Sequence, residues 1–345
     1  MYGWIVRKHG GPEALEWNEA LPTPEPGPGQ VRLRLRATGL NHLDVWVRRG
    51  VPGHAFPLPL IPCSDMAGAV DAVGPGVPPL DPDTRYLVNP GFSCGSCPAC
   101  DVGQHQLCRS YGIFGETVHG GAAEFVVVPR ENLLEVPAHL SWAEAASFPL
   151  AFLTAWHMVV TRAQVRPGQT VLVQAAASGV SSAAIQICAL LGARVLATAG
   201  SPEKLAFART LGAEVAIDYR REDVVKRVRE VAGRGGVDLI VDHVGTDTWN
   251  TNLRILARGG TLVICGATTG ADAHIDLRGL FFKAWTILGS TMGNRSELRA
   301  VTDLFRQKRL RPMVHAALPL GELSEGHRMI EAREVLGKVV LLHEG

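Results

Sequence analysis

The sequence predicts an α/β protein of two domains, an irregular β-rich domain followed by a doubly wound parallel sheet. Three observations carry this prediction. The chain has 345 residues, about twice the length of an average domain. Its first part, to about residue 135, is rich in Gly and Pro and contains short β-type runs. From about residue 170, short apolar strands alternate with helices, the arrangement of a parallel sheet covered on both faces.

Composition and charge exclude several classes of protein. Hydrophobic residues make up 46% and charged residues 19% of the chain, the balance of a globular protein. Lys and Arg number 34 against 33 Asp and Glu, so no overall field attracts nucleic acid or a membrane surface. No uncharged apolar run reaches about 18 residues, and no apolar segment with a cleavage site opens the chain. We expect a cytoplasmic protein with a small-molecule substrate.

The β-rich part is predicted from local patterns. Apolar and basic residues alternate from Val31 to Leu35, which indicates a half-exposed strand. The Pro- and Gly-rich segment from Pro22 to Gly29 is typical of a connector. After about Leu140 the pattern becomes helical, with Ser141 as the N-cap and Glu144 three residues later.

The second part alternates strands and helices. The predicted strands are Val171 to Gln174, Val195 to Thr198, Val215 to Ile217, Leu239 to Asp242 and Leu262 to Cys265. The predicted helices run from Val180 to Leu191 and from Glu203 to Leu211, and a glycine follows each of them.

A strand, a turn of small residues and a helix indicate a dinucleotide site. Small residues let the backbone approach a pyrophosphate, and a helix N-terminus offers free N–H groups to it. Only Gly179 of the usual GxGxxG pattern is present, and it lies between Ser178 and Val180. The alternative is an ordinary tight turn of an α/β protein.

The end of the next strand favours NADPH over NADH. An NAD site usually places a carboxylate there to accept from the ribose 2′-hydroxyl, and this chain has none. Ser201, Lys204 and Tyr219 are able to donate to a 2′-phosphate. NAD stays open, because Ser201 could simply cap the helix that begins at Pro202.

Four of the seven cysteines fall within 15 residues, at Cys94, Cys97, Cys100 and Cys108. We call residues 94–108 the cysteine lobe. Four thiolates on a Gly/Pro-rich loop can hold one zinc ion in a closed, structural site. An iron–sulfur cluster or two disulfides are the alternatives.

Together with these motifs, the segments ATGLNHLD, FLTAWH, VDHVG and GKVVL make the chain resemble the medium-chain dehydrogenase/reductase superfamily. The resemblance implies a GroES-like catalytic domain of residues 1–150, completed by residues 292–345, and a Rossmann domain of residues 151–291, with the active-site cleft between them. It also implies cofactor contacts from Val244, Gly266 and Ala267. In the family, an edge strand of this sheet pairs with the same strand of another copy, and the apolar run from Leu280 is expected to supply that strand. We therefore expect a homodimer or a homotetramer.

The same resemblance identifies what this chain lacks. The positions of the family's catalytic zinc ligands fall on Asn41, on Ser64 in the triplet Cys63-Ser64-Asp65, and near Leu150. This pattern is closer to the zinc-free quinone oxidoreductases, although that branch usually lacks the cysteine lobe. Zinc prefers thiolate, imidazole and carboxylate ligands, so we expect no catalytic zinc. Cys63 and Ser64 are expected to face opposite ways, as neighbours do on a strand.

The candidate catalytic residues follow from these positions. Asn41 or Ser64 would hydrogen-bond a substrate carbonyl oxygen, and Asp44, Asp65 and His42 are candidate acids. The resemblance also implies that His42 reaches the cofactor pyrophosphate. A displaced metal bound by Cys63, His42 and an aspartate is the alternative.

Three functions remain open at this point. The first is an NADPH-dependent reductase of quinones or α,β-unsaturated carbonyl compounds that uses no catalytic metal. The second is an alcohol dehydrogenase with an unusual catalytic zinc. The third is a non-catalytic, cofactor-binding redox sensor.

Overall fold

The computed structural model describes residues 1–344, which form two compact units. Within these residues, one unit consists of residues 1–150 and 293–344 and the other of residues 151–292. The strands are β1 (Gly3–Val6), β2 (Leu15–Asn18), β3 (Gln30–Gly39), β4 (Asp65–Val73), β5 (Arg85–Val88), β6 (Gly91–Phe92), β7 (Gly112–Ile113), β8 (Phe125–Pro129), β9 (Leu133–Glu135), β10 (Thr170–Val173), β11 (Arg194–Ala199), β12 (Val215–Asp218), β13 (Val237–Asp242), β14 (Leu256–Ile264), β15 (Thr286–Gly289), β16 (Val314–Pro319) and β17 (Lys338–Leu342). The helices are α1 (His42–Arg49), α2 (Pro98–Asp101), α3 (Trp142–Ser147), α4 (Pro149–Trp156), α5 (Gly179–Leu190), α6 (Pro202–Thr210), α7 (Val224–Ala232), α8 (Thr246–Ile255), α9 (Leu277–Phe282), α10 (Arg295–Arg306) and α11 (Leu323–Glu331).

The first unit is built on a sheet in the order β16-β17-β3-β4-β5-β9, and β8 also pairs with β3. The predicted alternation on β3 is confirmed. Val31, Leu33 and Leu35 are buried in the core, whereas Arg32 and Arg34 form ion pairs with carboxylates on the opposite face.

The end of β3 is where distant parts of this unit meet. Gly39 pairs with Asp65 of β4 on one side and with Val340 of β17 on the other. A Cβ on Gly39 would lie 2.1 Å from the carbonyl oxygen of Ala146, at the end of α3. Only a residue without a side chain allows this approach, so Gly39 lets α3 pack onto the strand ends.

The second unit is a six-stranded parallel sheet in the order β12-β11-β10-β13-β14-β15. The chain runs outward from β10 to β12, returns to β13 on the other side of β10, and continues to β15. This reversal makes a switch point at the carboxyl ends of β10 and β13, the usual place for a ligand in such sheets. The predicted fold class, a GroES-like domain with a Rossmann sheet, is confirmed.

Two local predictions are confirmed, with bounds that the structure changes. Ser141 caps a helix and Glu144 completes the capping box, as predicted. The helical run after Ser141 is two helices, α3 and α4, because Pro149 cannot continue the first. The apolar run from Leu280 contains the expected edge strand, β15, but its first residues lie in α9. Asp276 caps that helix by accepting from the backbone N–H of Arg278, and the strand β15 begins only at Thr286.

Among residues 1–344, the helices are all too short or too polar to cross a membrane.

Candidate active site and cofactor site

The four cysteines of the cysteine lobe converge. Their sulfur atoms all lie within 4.8 Å of one another, and the Cys108–Cys94 and Cys97–Cys100 distances are 3.5 and 3.6 Å. A tetrahedron with Zn–S bonds of about 2.3 Å has sulfurs about 3.8 Å apart, whereas a disulfide needs about 2.05 Å. The arrangement therefore fits one tetrahedral metal ion and not two disulfides.

The predicted pyrophosphate turn caps α5. Ser178 is the N-cap, and its Oγ accepts from the backbone N–H of Ser181 at 3.1 Å. Ala175 lies before it with φ of 51°, in the left-handed region that favours glycine. The turn leaves the first N–H groups of a twelve-residue helix directed to the switch point, where an anionic pyrophosphate is favoured.

His243, which the sequence analysis did not single out, lies against this turn. Its Nε2 is 2.7 Å from Ser178 Oγ and 3.1 Å from Ser181 Oγ. Because Ser181 Oγ donates to the carbonyl oxygen of Gln174, it accepts from the imidazole, which places a hydrogen on Nε2. Burial lowers the pKa of His243, so the ring is neutral. The sequence feature that could have identified His243 is its position directly after β13, at the switch point.

The other predicted cofactor residues of this edge lie close to His243. The backbone N–H of Val244 donates to Asp242 Oδ1 at 2.6 Å. A Cβ on Gly266 would lie 3.4 Å from His243 Cβ, and a Cβ on Gly245 would lie 3.0 Å from Ala267 Cα. The structure thus brings Val244, Gly266 and Ala267 together at the ends of β13 and β14.

The end of β11 gathers donors around Gly200. A Cβ on Gly200 would lie 2.6 Å from the Tyr219 hydroxyl and 3.0 Å from Arg220 Nε. Ser201 caps α6, with Lys204 in its first turn. Tyr219 is 47% exposed. Arg220 was not among the predicted cofactor residues, because the pair Arg220-Arg221 has the pattern of an exposed segment in the sequence.

In the first unit, three polar side chains close a ring that we call the Asn41–Asp65–Lys338 ring. Lys338 Nζ donates to Asn41 Oδ1 and lies 3.0 Å from Asp65 Oδ2. Asn41 Nδ2 donates to the same Asp65 oxygen at 2.9 Å. The other Asp65 oxygen accepts from the backbone N–H of Leu150 at 2.7 Å. Lys338 and Asp65 are both buried, so the ion pair is shielded from water.

Asp44, another predicted catalytic residue, supports this ring from the N-terminus of α1. Its Oδ2 accepts from the Asn41 backbone N–H at 2.7 Å. Burial raises the pKa of Asp44 to about 7, partly offset by the Asn41 N–H and by Lys338. Asp44, Ser64 and Asp65 are all 0% exposed, so these three cannot touch a substrate as the chain is folded.

The strand on which the expectation for Cys63 and Ser64 rested is not formed at these two residues. β4 begins only at Asp65, and Cys63 has φ of 79°. Ser64 Oγ is buried without a hydrogen-bond partner in the described residues. His42 opens α1 and makes an edge-to-face contact with Trp46 at 5.1 Å. Within residues 1–344, the only group of three or more convergent metal-ligating side chains is the cysteine lobe.

Comparison with known proteins shows which superfamily the chain belongs to. The alcohol dehydrogenase GroES-like domain matches residues 27–138, and the zinc-binding dehydrogenase family matches residues 179–307. A quinone oxidoreductase from Pseudomonas aeruginosa is 32% identical over 97% of this chain and 97% of its own length. The chain belongs to the medium-chain dehydrogenase/reductase superfamily. As a member of that superfamily, it is an NAD(P)-dependent oxidoreductase.

Solved structures of this superfamily share the whole fold. The crystal structure of an NAD-dependent alcohol dehydrogenase is 48% identical with a TM-score of 0.95, and the match covers 99% of both chains. The crotonyl-CoA carboxylase/reductase AntE in complex with NADP is 28% identical with a TM-score of 0.91, and the match covers 99% of this chain and 94% of that one.

Proposed function

We propose that this dehydrogenase/reductase reduces a quinone or an α,β-unsaturated carbonyl compound with NADPH and without a catalytic metal. The observation that carries the proposal is the position of Lys338. The three positions of the family's zinc ligands hold an amide, a hydroxyl and an alkyl side chain. A buried ammonium bonds to the first of them and to the carboxylate of Asp65. A divalent cation beside that ammonium would be repelled, so the chain's own charge supports metal-free chemistry.

When bound, the nicotinamide supplies hydride, and the chain supplies position and polarity. Reduction of a conjugated carbonyl compound places negative charge on its oxygen. That charge is delocalised, so hydrogen-bond donors suffice where a simple ketone would need a Lewis acid. Asn41 is 8% exposed, the largest exposed fraction in the ring, and we assign it the contact with the oxygen. Asp44, Ser64 and Asp65 then act behind it, and the proton is taken from water.

The proposal is tested by NADPH oxidation with a panel of quinones and enones. We expect turnover of at least one conjugated class, little oxidation of primary alcohols with NAD or NADP, and activity that survives EDTA for minutes. Metal analysis is expected to give one zinc per chain, held by Cys94, Cys97, Cys100 and Cys108. Two zinc ions per chain with rapid alcohol oxidation would instead support an activity like that of the 48% identical alcohol dehydrogenase. Cofactor binding without turnover of any substrate would support the redox sensor.

We also propose that NADP is the preferred cofactor and that the cluster around Gly200 selects it. Ser201, Lys204, Tyr219 and Arg220 offer donors there, and the carboxylate beside them, Glu203, is hydrogen-bonded to Ser201. The relative AntE, which has this fold, was solved in complex with NADP, and that complex supports the proposal. Hydrogen bonds to a charged phosphate contribute about 1.5–3 kcal/mol each.

NADPH is therefore expected to bind at least about tenfold more tightly than NADH, a difference of about 1.4 kcal/mol. Fluorescence titration measures both dissociation constants. Arg220→Ala should weaken NADPH binding about tenfold and leave NADH binding unchanged. The matched control is Arg221→Ala, whose guanidinium is 78% exposed and faces Asp218 instead. Equal affinities for the two cofactors in the unmodified protein would refute the preference.

We propose, finally, a homodimer or a homotetramer. β15 is the edge of its sheet, and α9 next to it exposes Leu277, Phe281 and Phe282. An uncovered sheet edge beside apolar side chains is prone to pair with another copy. Sedimentation at micromolar concentration should show a species of at least twice the chain mass of 37.0 kDa, and a purely monomeric profile would contradict the assembly.

A further inference from the structure

We infer that Lys338 is a positioning residue that, together with Asp65, orients and polarises the Asn41 amide toward the substrate oxygen. The inference rests on the proposed function and assigns a role to a residue that lies 297 positions along the chain from Asn41. It follows from the hydrogen bonds of the Asn41–Asp65–Lys338 ring and from the chemistry of an amide.

The ring allows only one orientation of the amide. Asn41 Oδ1 faces the Lys338 ammonium, which only donates, and Nδ2 faces the Asp65 carboxylate, which accepts. Rotating the amide by half a turn would place its NH2 group against the ammonium and its oxygen against the carboxylate. Both contacts would then be repulsive, so Asn41 is fixed.

The ring also leaves one hydrogen for a ligand. An amide nitrogen carries two hydrogens in one plane. The hydrogen on the same side as Oδ1 closes the ring to Asp65, because Lys338 bridges Oδ1 and the same Asp65 oxygen. The second hydrogen points away from the ring. Since Asn41 has the largest exposed fraction of the three residues, this second hydrogen is the one that a substrate oxygen meets.

The two charges strengthen this donor together. An amide is partly a form with negative oxygen and positive nitrogen. An ammonium at the oxygen and a carboxylate at the nitrogen both favour that form, so they make the remaining N–H more positive. Such cooperative polarisation is strongest where water is excluded, and Asp65 and Lys338 are both buried. The ring thus directs a strengthened donor to the place where negative charge develops.

The decisive variant is Lys338→Met/Asp65→Asn, which removes both charges at once. Lys338→Met alone would leave Asp65 as an unpaired buried charge and could simply unfold the chain. In the double variant, the amide introduced at position 65 keeps an oxygen for the Leu150 N–H. We expect kcat for an enone or quinone to fall about tenfold or more, with the NADPH dissociation constant within twofold of the unmodified value and cooperative thermal unfolding retained.

Further variants separate positioning from stability. The single variant Lys338→Arg keeps a cation beside Asn41 and is expected to retain most of the kcat of the unmodified protein. Asn41→Asp keeps the acceptor for Lys338 but has no N–H, so it should lose at least as much kcat as the double variant. Thr38→Val is the structural control. It removes a different buried polar contact of the same sheet, between the Thr38 hydroxyl and His343, and should leave kcat unchanged.

The outcomes distinguish the two proposals. A double variant that folds, binds NADPH and turns over at the unmodified rate overturns the role of Lys338 and leaves the proposed function standing. An equal loss of kcat in Thr38→Val also overturns it, because the effect would then be one of stability. An unmodified protein that reduces no quinone or enone overturns both.

Discussion

Replacing Cys100 with serine is expected to release the zinc of the cysteine lobe and to lower the unfolding temperature by about 6–12 °C. Cys100 is one of the two buried cysteines of the lobe, and the four sulfurs are spaced for one tetrahedral ion. The loop has little secondary structure of its own, with the four-residue helix α2 and a 3-10 turn at His105–Leu107, so we expect a bound metal ion to hold it in place. Losing a ligand therefore removes about 3 kcal/mol of stability, and each kcal/mol corresponds to about 2–4 °C in a unit of this size.

Calorimetry and a colorimetric zinc assay measure the two effects. The control is Cys188→Ser, which changes a buried cysteine of α5 in the other unit and should keep one zinc per chain. Because Cys100 is not among the candidate catalytic residues, the folded fraction of Cys100→Ser should retain its NADPH affinity. Full zinc content and an unshifted unfolding temperature in Cys100→Ser would show that the lobe does not bind the ion.

Asp44→Asn is expected to change how stability depends on pH. Burial raises the pKa of Asp44 from 3.8 to about 7 in the folded chain. Between these values the folded state holds a proton that the unfolded state has lost, so this group's contribution to stability falls as the pH rises. One unit of pKa shift corresponds to about 1.4 kcal/mol. Relative to the unmodified protein, Asp44→Asn should therefore gain about 2–4 kcal/mol between pH 4 and pH 8.

Urea unfolding of both proteins across this pH range measures that difference. The amide introduced at position 44 still has an oxygen to accept from the Asn41 N–H, so the cap of α1 is kept. The charged groups that act on Asp44 are Lys338 and Asp65, and the backbone N–H groups of Asn41 and Cys63 also lower its pKa; all of these remain in the variant. Burial also lowers the pKa of His327 and of His343 to about 3. Both histidines are present in both proteins, so their contributions cancel in the difference in stability. Asp247→Asn, at an exposed carboxylate, is the control, and parallel curves for Asp44→Asn would contradict the prediction.

Local patterns were sufficient to predict the fold and to indicate the turn and the cysteine cluster that we propose as cofactor and metal sites. The strand, turn and helix around Ser178 and Gly179 form a contiguous unit, so the sequence shows the cofactor turn directly. The cysteine lobe is also local, because its four thiolates lie within 15 residues. Interactions of this kind depend on spacing along the chain, which a sequence displays.

The candidate active site depends on contacts that spacing does not display. Lys338 is the first residue of β17, and nothing in the sequence distinguishes it from other strand residues. Its contact with Asn41 arises only because β17 pairs with β3. Asp65 meets Lys338 across 273 positions of sequence. The positive φ of Cys63 is equally hidden, because it depends on the approach of another segment: a Cβ on Gly115 would lie 2.6 Å from the Cys63 backbone nitrogen. Pairing and packing, rather than propensity, decide such positions.

The ammonium of Lys338 also constrains how this lineage can evolve. Placing a thiolate at position 41 and an imidazole at position 64 would supply two side chains that zinc prefers, yet the ammonium would still lie about 3 Å from Asp65 and would repel a cation bound there. Removing Lys338 first would leave the Asp65 charge unpaired in the interior, at a cost of about 3–5 kcal/mol. Under the proposed metal-free function, single substitutions toward a metal site at these positions are therefore expected to pass through a weakened intermediate.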